Sequence, residues 1–180
     1  MKATGIVRRI DDLGRVVIPK EIRKTMRIRE GDPLEIYTDK DGEVIFKKYS
    51  LMGGLTDFAS QLCDTLNKTT GHIVAVTDRD MVIASAGVSR RELGERRISD
   101  ALEQIMEERQ IYLRQSGGQA FPVSSDNDRY IIAIAAPILS EGDVLGSVVF
   151  AAGAGAAPMG ETEYKLAQTV AGFLGRHMES

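Results

Sequence analysis

Hydrophobic and polar positions follow two rhythms along this 180-residue chain. In the first fifty residues, short β-branched runs between turn residues predict strands at about Gly5 to Ile10, Arg15 to Ile18, Leu34 to Thr38 and Val44 to Lys48. Asp11-Asp12-Leu13-Gly14 offers side-chain acceptors and a glycine able to take positive φ, and Asp39-Lys40-Asp41-Gly42 repeats the device. The result is two hairpin-like units. Between them Pro19 presets φ for a short helix, with Ile22 and Met26 on its apolar side and Arg23, Lys24 and Arg27 facing outward. Gly31-Asp32-Pro33 returns the chain to strand.

After Tyr49-Ser50-Leu51-Met52-Gly53-Gly54 the pattern changes. Leu55, Phe58, Ala59, Leu62 and Leu66 recur at helical spacing and predict a helix to about Thr69. His72 to Thr77 and Met81 to Ala84 read as a strand pair joined by Asp78-Arg79-Asp80, and Ser99 caps a helix running to about Arg109. Tyr130 to Leu139 and Val144 to Ala152 are rich enough in Ile, Val and Ala to be central strands of an antiparallel sheet. Glu161 to His177 reads as a closing helix, with Leu166, Val170, Phe173 and Leu174 on one face, acid at its start and Arg176-His177 at its end. The second half is therefore α+β.

A unit of four short strands and one short helix buries too little to stand alone, because domains near this size remove only about 60% of their unfolded surface from water. Dimerisation through paired hairpins is the expected remedy.

Charge sharpens the division. The net charge of −3 conceals 12 Lys and Arg against 9 Asp and Glu in residues 1–50, and 11 against 17 in the remainder. From Arg8 to Arg29, eight basic residues oppose only Asp11, Asp12 and Glu21. Such a basic stretch in an acidic chain fits a polyanion partner, with a solvated, salt-bridged surface as the alternative. No apolar run approaches the roughly 18 residues a membrane span needs, and no signal-peptide order opens the chain, so a cytoplasmic protein is expected.

Candidate chemistry is sparse. Cys63 has no disulfide partner in the chain and reads as a small core residue; His72 and His177 make no zinc-type cluster. Gly153-Ala-Gly155-Ala-Ala-Pro158 begins like a dinucleotide fingerprint but carries proline in place of the third glycine, so it reads as a connection. Glu107 and Glu108 have no evident partner across a cleft. P-loop, nucleophile-elbow and zinc-protease motifs are all missing, so neither enzyme, metal nor cofactor is expected.

The order T-G-I-V-R, D-x-L-G-R-V-V-I-P-x-E-I-R, L-E-I-Y within residues 1–49 closely resembles the DNA-binding domain of the AbrB family of bacterial transition-state regulators. The second half resembles a GAF domain. Together the two halves resemble a regulator of late, forespore-specific transcription in spore-forming bacilli. The resemblance implies an N-terminal β-rich swapped-hairpin barrel shared by a dimer, over residues 1–50. It further implies a linker at 51–54, and an α+β GAF-like sensor or oligomerisation domain with an antiparallel sheet at 55–180. The family's DNA contacts, carried over position by position, fall on Arg8, Arg15 and Arg23, with Lys24 where relatives often carry arginine and Arg9 as a further basic position. Lysine keeps the charge but loses the two-pronged grip, so Lys24 is expected to touch phosphate only.

The resemblance thus implies an activator and repressor of transcription that binds double-stranded DNA, with recognition weighted toward phosphates and DNA shape. The GAF-like half would hold an unidentified small molecule under loops Gly87 to Ile98 and Ser124 to Arg129, or pair through its first and last helices into a tetramer. Two other readings stand beside this one: an antitoxin partner of a toxin, which calls for a disordered tail, and an enzyme with its site in the second half.

Overall fold

The computed structural model describes residues 4–179, in two compact units that divide between Tyr49 and Ser50.

In the first unit, Pro19 takes φ −58° and ψ 150° and leads into helix α1, Lys20–Met26. Proline suits this place because its φ already matches a helix start and the N–H it lacks would have had no helical partner. Arg27 ends the helix in the left-handed region at φ 50°, and the N–H of Ile28 donates to the carbonyl of Arg23 at 2.8 Å. Downstream, Asp32 Oδ2 accepts from the N–H of Arg29 at 2.8 Å and lies 3.5 Å from Lys48 Nζ, which also donates to the carbonyl of Arg27 at 2.8 Å. The helix end is thus fastened to a hairpin of β1, Leu34–Thr38, and β2, Val44–Lys48, paired antiparallel from Leu34↔Lys48 to Thr38↔Val44.

The strands expected at Gly5 to Ile10 and Arg15 to Ile18 are not formed. Both segments are extended, but the only backbone closure between them is Asp11 N–H to the Arg15 carbonyl at 3.0 Å. A strand exists only where a neighbour supplies its hydrogen bonds, and among the described residues neither segment has one. Their apolar side chains face water: Val7 is 87% exposed, Ile10 70% and Val17 69%. None of residues 4–49 is buried, and among the described residues the unit holds twelve of sixteen exposed large hydrophobics. A barrel core is therefore absent from one copy.

The second unit is a six-stranded antiparallel sheet sandwiched between helices. A short 3₁₀ turn, Gly53–Leu55, leads into α2, Thr56–Thr70. There follow β3, Ile73–Asp78, β4, Val82–Ala86, α3, Arg90–Leu93, and α4, Asp100–Glu107. The remaining elements are β5, Tyr112–Leu113, β6, Pro122–Ser124, β7, Asn127–Ser140, β8, Asp143–Ala152, and α5, Glu161–His177. Sheet order is β4-β3-β8-β7-β5, with β6 also on β7. Residues 51–54, expected to be a linker, include Met52, which is fully buried in this unit's core.

Period-two alternation sorts the strands onto two cores. Val74, Val76, Val148, Phe150, Ile134 and Ile138 face Ala59, Cys63 and Leu66 of α2 and Ala167, Ala171 and Leu174 of α5. Ala75, Val149, Ile132 and Ala135 face Leu93 of α3 and Leu102, Ile105 and Met106 of α4. Covered on both faces, β7 and β8 are buried through their central stretches, and the pairing skips Ala133, a bulge that moves the alternation from one face to the other. Ser99 caps α4 as expected, its side chain accepting from the N–H of Leu102 at 3.1 Å. α3, β5 and β6 are additional to the elements that the sequence pattern predicts. Each is four residues or shorter, too brief to leave a periodicity.

Candidate nucleic-acid interface

The two turns of the first unit are built alike. Asp11 Oδ1 accepts from the N–H groups of Leu13 at 3.0 Å and Arg15 at 2.8 Å, and Gly14 takes φ +75°. Asp39 Oδ1 accepts from the N–H groups of Asp41 at 3.0 Å and Glu43 at 2.9 Å, and Gly42 takes φ +84°. In each, aspartate substitutes for strand pairing at the loop, and glycine supplies the left-handed step that other residues adopt only with strain. The fifth position differs. Arg15 returns its Nε to Asp11 Oδ2 at 2.9 Å, whereas Glu43 has no donor to return. The N–H of Arg15, its guanidinium and the N–H of Leu13 together hold the Asp11 carboxyl below its ordinary 3.8.

The cations divide into two groups. Lys48 is spent inside the unit, on the Arg27 carbonyl and Asp32, and Arg27 caps α1. Arg8, Arg9, Arg23 and Lys24 are exposed, and no carboxylate among the described residues pairs with them. Arg23 and Lys24 are neighbours on the last turn of α1, and Arg15 follows the first turn. Arg8 and Arg9 lie on the unpaired extended segment, which no backbone ladder ties to Arg15. The sequence marks Asp11 only as a turn former; its bond to Arg15 rests on a four-residue separation that any loop could close.

In the second unit, the loops expected to cover a ligand are knitted together. Ile98 bridges Ser124, Arg96 Nη1 meets Asp126 Oδ2 at 2.5 Å, and Asn127 Nδ2 donates to the Glu92 carbonyl at 3.0 Å. The Glu92 carboxylate accepts from Tyr130 Oη at 2.8 Å, Ser89 Oγ at 2.9 Å and Arg129 Nη1 at 2.8 Å. The hydroxyls of Tyr130 and Ser89, then the Arg129 charge, hold this carboxyl below its ordinary 4.5. Ser124 Oγ is buried without a hydrogen-bond partner among the described residues.

Cys63 is fully buried, and burial pushes its thiol up to about 12. His72 Nε2 lies 3.4 Å from Glu163 Oε1, with its ring edge-on to Phe150. Among the described residues no three side chains gather as a metal site, and no helix is long and apolar enough to cross a membrane. The Gly153 to Pro158 stretch joins β8 to α5.

Two family models match. One, for the C-terminal part of stage V sporulation protein T, a transcription factor, covers residues 54–179; the other, for the antidote-toxin recognition protein MazE, a bacterial antitoxin, covers residues 7–51. The chain is 49% identical over 179 residues to stage V sporulation protein T of Bacillus subtilis strain 168, covering 99% of each. To the transition state regulatory protein AbrB of the same strain it is 63% identical over 49 residues, 27% of this chain and 50% of that protein. The crystal structure of a GAF domain/HD domain protein from Geobacter sulfurreducens has the fold of the second unit, with a TM-score of 0.51 at 16% identity over 69% of this chain and 91% of that one.

An AbrB-like unit followed by a GAF-like α+β unit with an antiparallel sheet defines a DNA-binding transcription regulator. The chain belongs to the stage V sporulation protein T family of sporulation transcription factors.

Proposed function

We propose that this protein binds duplex DNA through Arg8, Arg9, Arg15, Arg23 and Lys24 of paired first units. In this reading it activates and represses late, forespore-specific genes in the cytoplasm of the developing spore. The observation that carries the reading is the segregation of cations: those needed for the fold are engaged, while Arg8, Arg9, Arg23 and Lys24 stand exposed without carboxylate partners among the described residues. In an acidic chain, such unspent charge stabilises a complex with a polyanion by releasing its counterions.

Pairing is the second half of the reading. Val7, Ile10, Val16 and Val17 are exposed in one chain, and a partner's equivalent segments would give them both strand neighbours and a core. Residues 1–50 would form this interface, 51–54 the connection, and 55–180 a sensing or oligomerisation domain. Phe173, half-exposed on α5, packs tilted against Phe58 of α2 and stacks with His177, an apolar surface suited to joining two dimers into a tetramer.

Anisotropy of labelled duplex DNA at several salt concentrations tests the interface, with light scattering to verify assembly. Five cations on each of two protomers would neutralise roughly ten phosphates and give a log-log salt slope of about −9. Replacing Arg15 and Arg23 by alanine removes two cations per protomer and lowers the slope to about −5. Equal slopes for correctly assembled wild type and double variant would refute the assignment.

The match of residues 7–51 to an antitoxin model favours a second reading, in which the same unit serves a toxin's partner. Capture of a toxin by the full chain would support it; the ordered sheet-and-helix second unit, in place of a disordered tail, weighs against it.

A further inference from the structure

We infer that Asp11 is a positioning residue for DNA recognition, holding the Arg15 guanidinium so that its terminal Nη edge is presented to the duplex. The inference rests on the proposed DNA binding and deepens it.

The twin turns differ by one bond. Both close with the same set: an aspartate Oδ1 takes two N–H groups, and the aspartate N–H donates to the fifth residue's carbonyl, at 3.0 Å for Asp11 and 3.2 Å for Asp39. The second turn achieves this with Glu43, whose carboxylate side chain has no proton to donate to Asp39. The bond from Arg15 Nε to Asp11 Oδ2 is therefore surplus to closing the loop. It also has a cost: it sets a negative charge against a cation that would otherwise attract phosphate more strongly.

Orientation is what the bond returns. A guanidinium has five N–H donors in a planar fork, and engaging Nε fixes the plane while leaving the four on Nη1 and Nη2 for a bidentate contact. The Arg15 side chain remains 68% exposed, so the free edge is open to a ligand. The Asp11 side chain, which also accepts the two N–H groups of the turn, is 36% exposed. An arginine so held loses less side-chain entropy on binding than a free one and meets a guanine edge or phosphate in one geometry. The expected signature is selectivity gained at some expense of general attraction.

The test uses full-length protein and two probes, a duplex enriched by the wild type from a random-sequence pool and an unrelated duplex of equal length. The readout is the ratio of affinities. Asp11→Asn is expected to lower the ratio about tenfold, as for loss of one bidentate contact, while binding to the unrelated duplex stays equal or tightens. In an Arg15→Ala background the same change should lower the ratio no further. Asp39→Asn, which perturbs the twin turn alone, should leave the ratio unchanged. Arg15→Lys leaves the Asp11 turn bonds intact and removes the Nε donor, so it should reproduce the loss even if Asp11→Asn folds poorly.

An equal fall from Asp11→Asn in both backgrounds, an equal fall from Asp39→Asn, or a ratio retained by Arg15→Lys would overturn the positioning role. The salt slope of wild-type binding reads the DNA function separately. A steep slope with an unaltered ratio overturns only the role of Asp11, whereas the lack of any salt-dependent binding overturns both.

Discussion

Gly175 and Gly172 lie three residues apart on α5, and the same substitution at each should act in opposite directions. A methyl group on Gly172 would meet open space, because this glycine faces water. One on Gly175 would overlap the carbonyl oxygen of Leu139 and lie 3.1 Å from its carbonyl carbon. Alanine favours a helix over glycine by about 1 kcal/mol, so Gly172→Ala should stabilise by about that amount. The same gain applies at Gly175 but is opposed by overpacking, typically about 1–3 kcal/mol. The upper end applies here, because the obstacle is strand backbone, which cannot change rotamer, and relief requires α5 to lift from Ile138 and the rest of the core it shares with β7. The net expectation for Gly175→Ala is a loss of about 2 kcal/mol, or a melting temperature lower by about 6–10 °C, against a rise of about 3–5 °C for Gly172→Ala. Thermal melts followed by circular dichroism at one fixed protein concentration, with urea midpoints alongside, give both values. A Gly175→Ala variant that melts at or above the wild type would refute the close approach of α5 to β7.

Three further outcomes are expected. The folded-state pKa of Glu92 lies below its unfolded value near 4.5, so its bonds to Tyr130, Ser89 and Arg129 contribute stability above that pH and lose it as pH falls through the folded value. Melting temperatures measured from about pH 6 to about pH 3 should therefore decline more for wild type than for Glu92→Gln, and parallel curves would deny Glu92 this role. Cys63, buried with its thiol pushed up to about 12, should resist alkylation at about pH 8 in native protein and react fully once denatured, as thiol titration would show. Phe150→Ala opens a void between β8 and its helices, and should cost about 3–5 kcal/mol by urea denaturation.

Helices are the most legible elements. The bounds of α5 follow from the acid-first, base-last order and the stripe of Leu166, Val170 and Leu174, and Ser99 announces α4, because capping and amphipathic spacing act within one or two turns. The twin Asp-x-x-Gly turns are equally plain, each being closed by its own side chain. Reading the AbrB-like half requires only its motif, and the candidate cations come from that motif residue by residue.

Other features depend on what lies opposite in space. Arg8, Arg23, Arg27 and Lys48 look alike in composition, yet Lys48 is taken up by a carbonyl twenty-one residues away while Arg8 and Arg23 meet no carboxylate among the described residues. The apolar runs at Gly5 to Ile10 and Arg15 to Ile18 have strand propensity, but a ladder needs a second donor and acceptor row, and one chain does not provide it. The amino-acid sequence by itself determined the longer helices, the turns and the division of charge, since these rest on interactions between near neighbours. Tertiary structure alone decided the bulge at Ala133 and the fit of Gly175 against Leu139, because both depend on the approach of groups far apart in the chain, which no local pattern specifies.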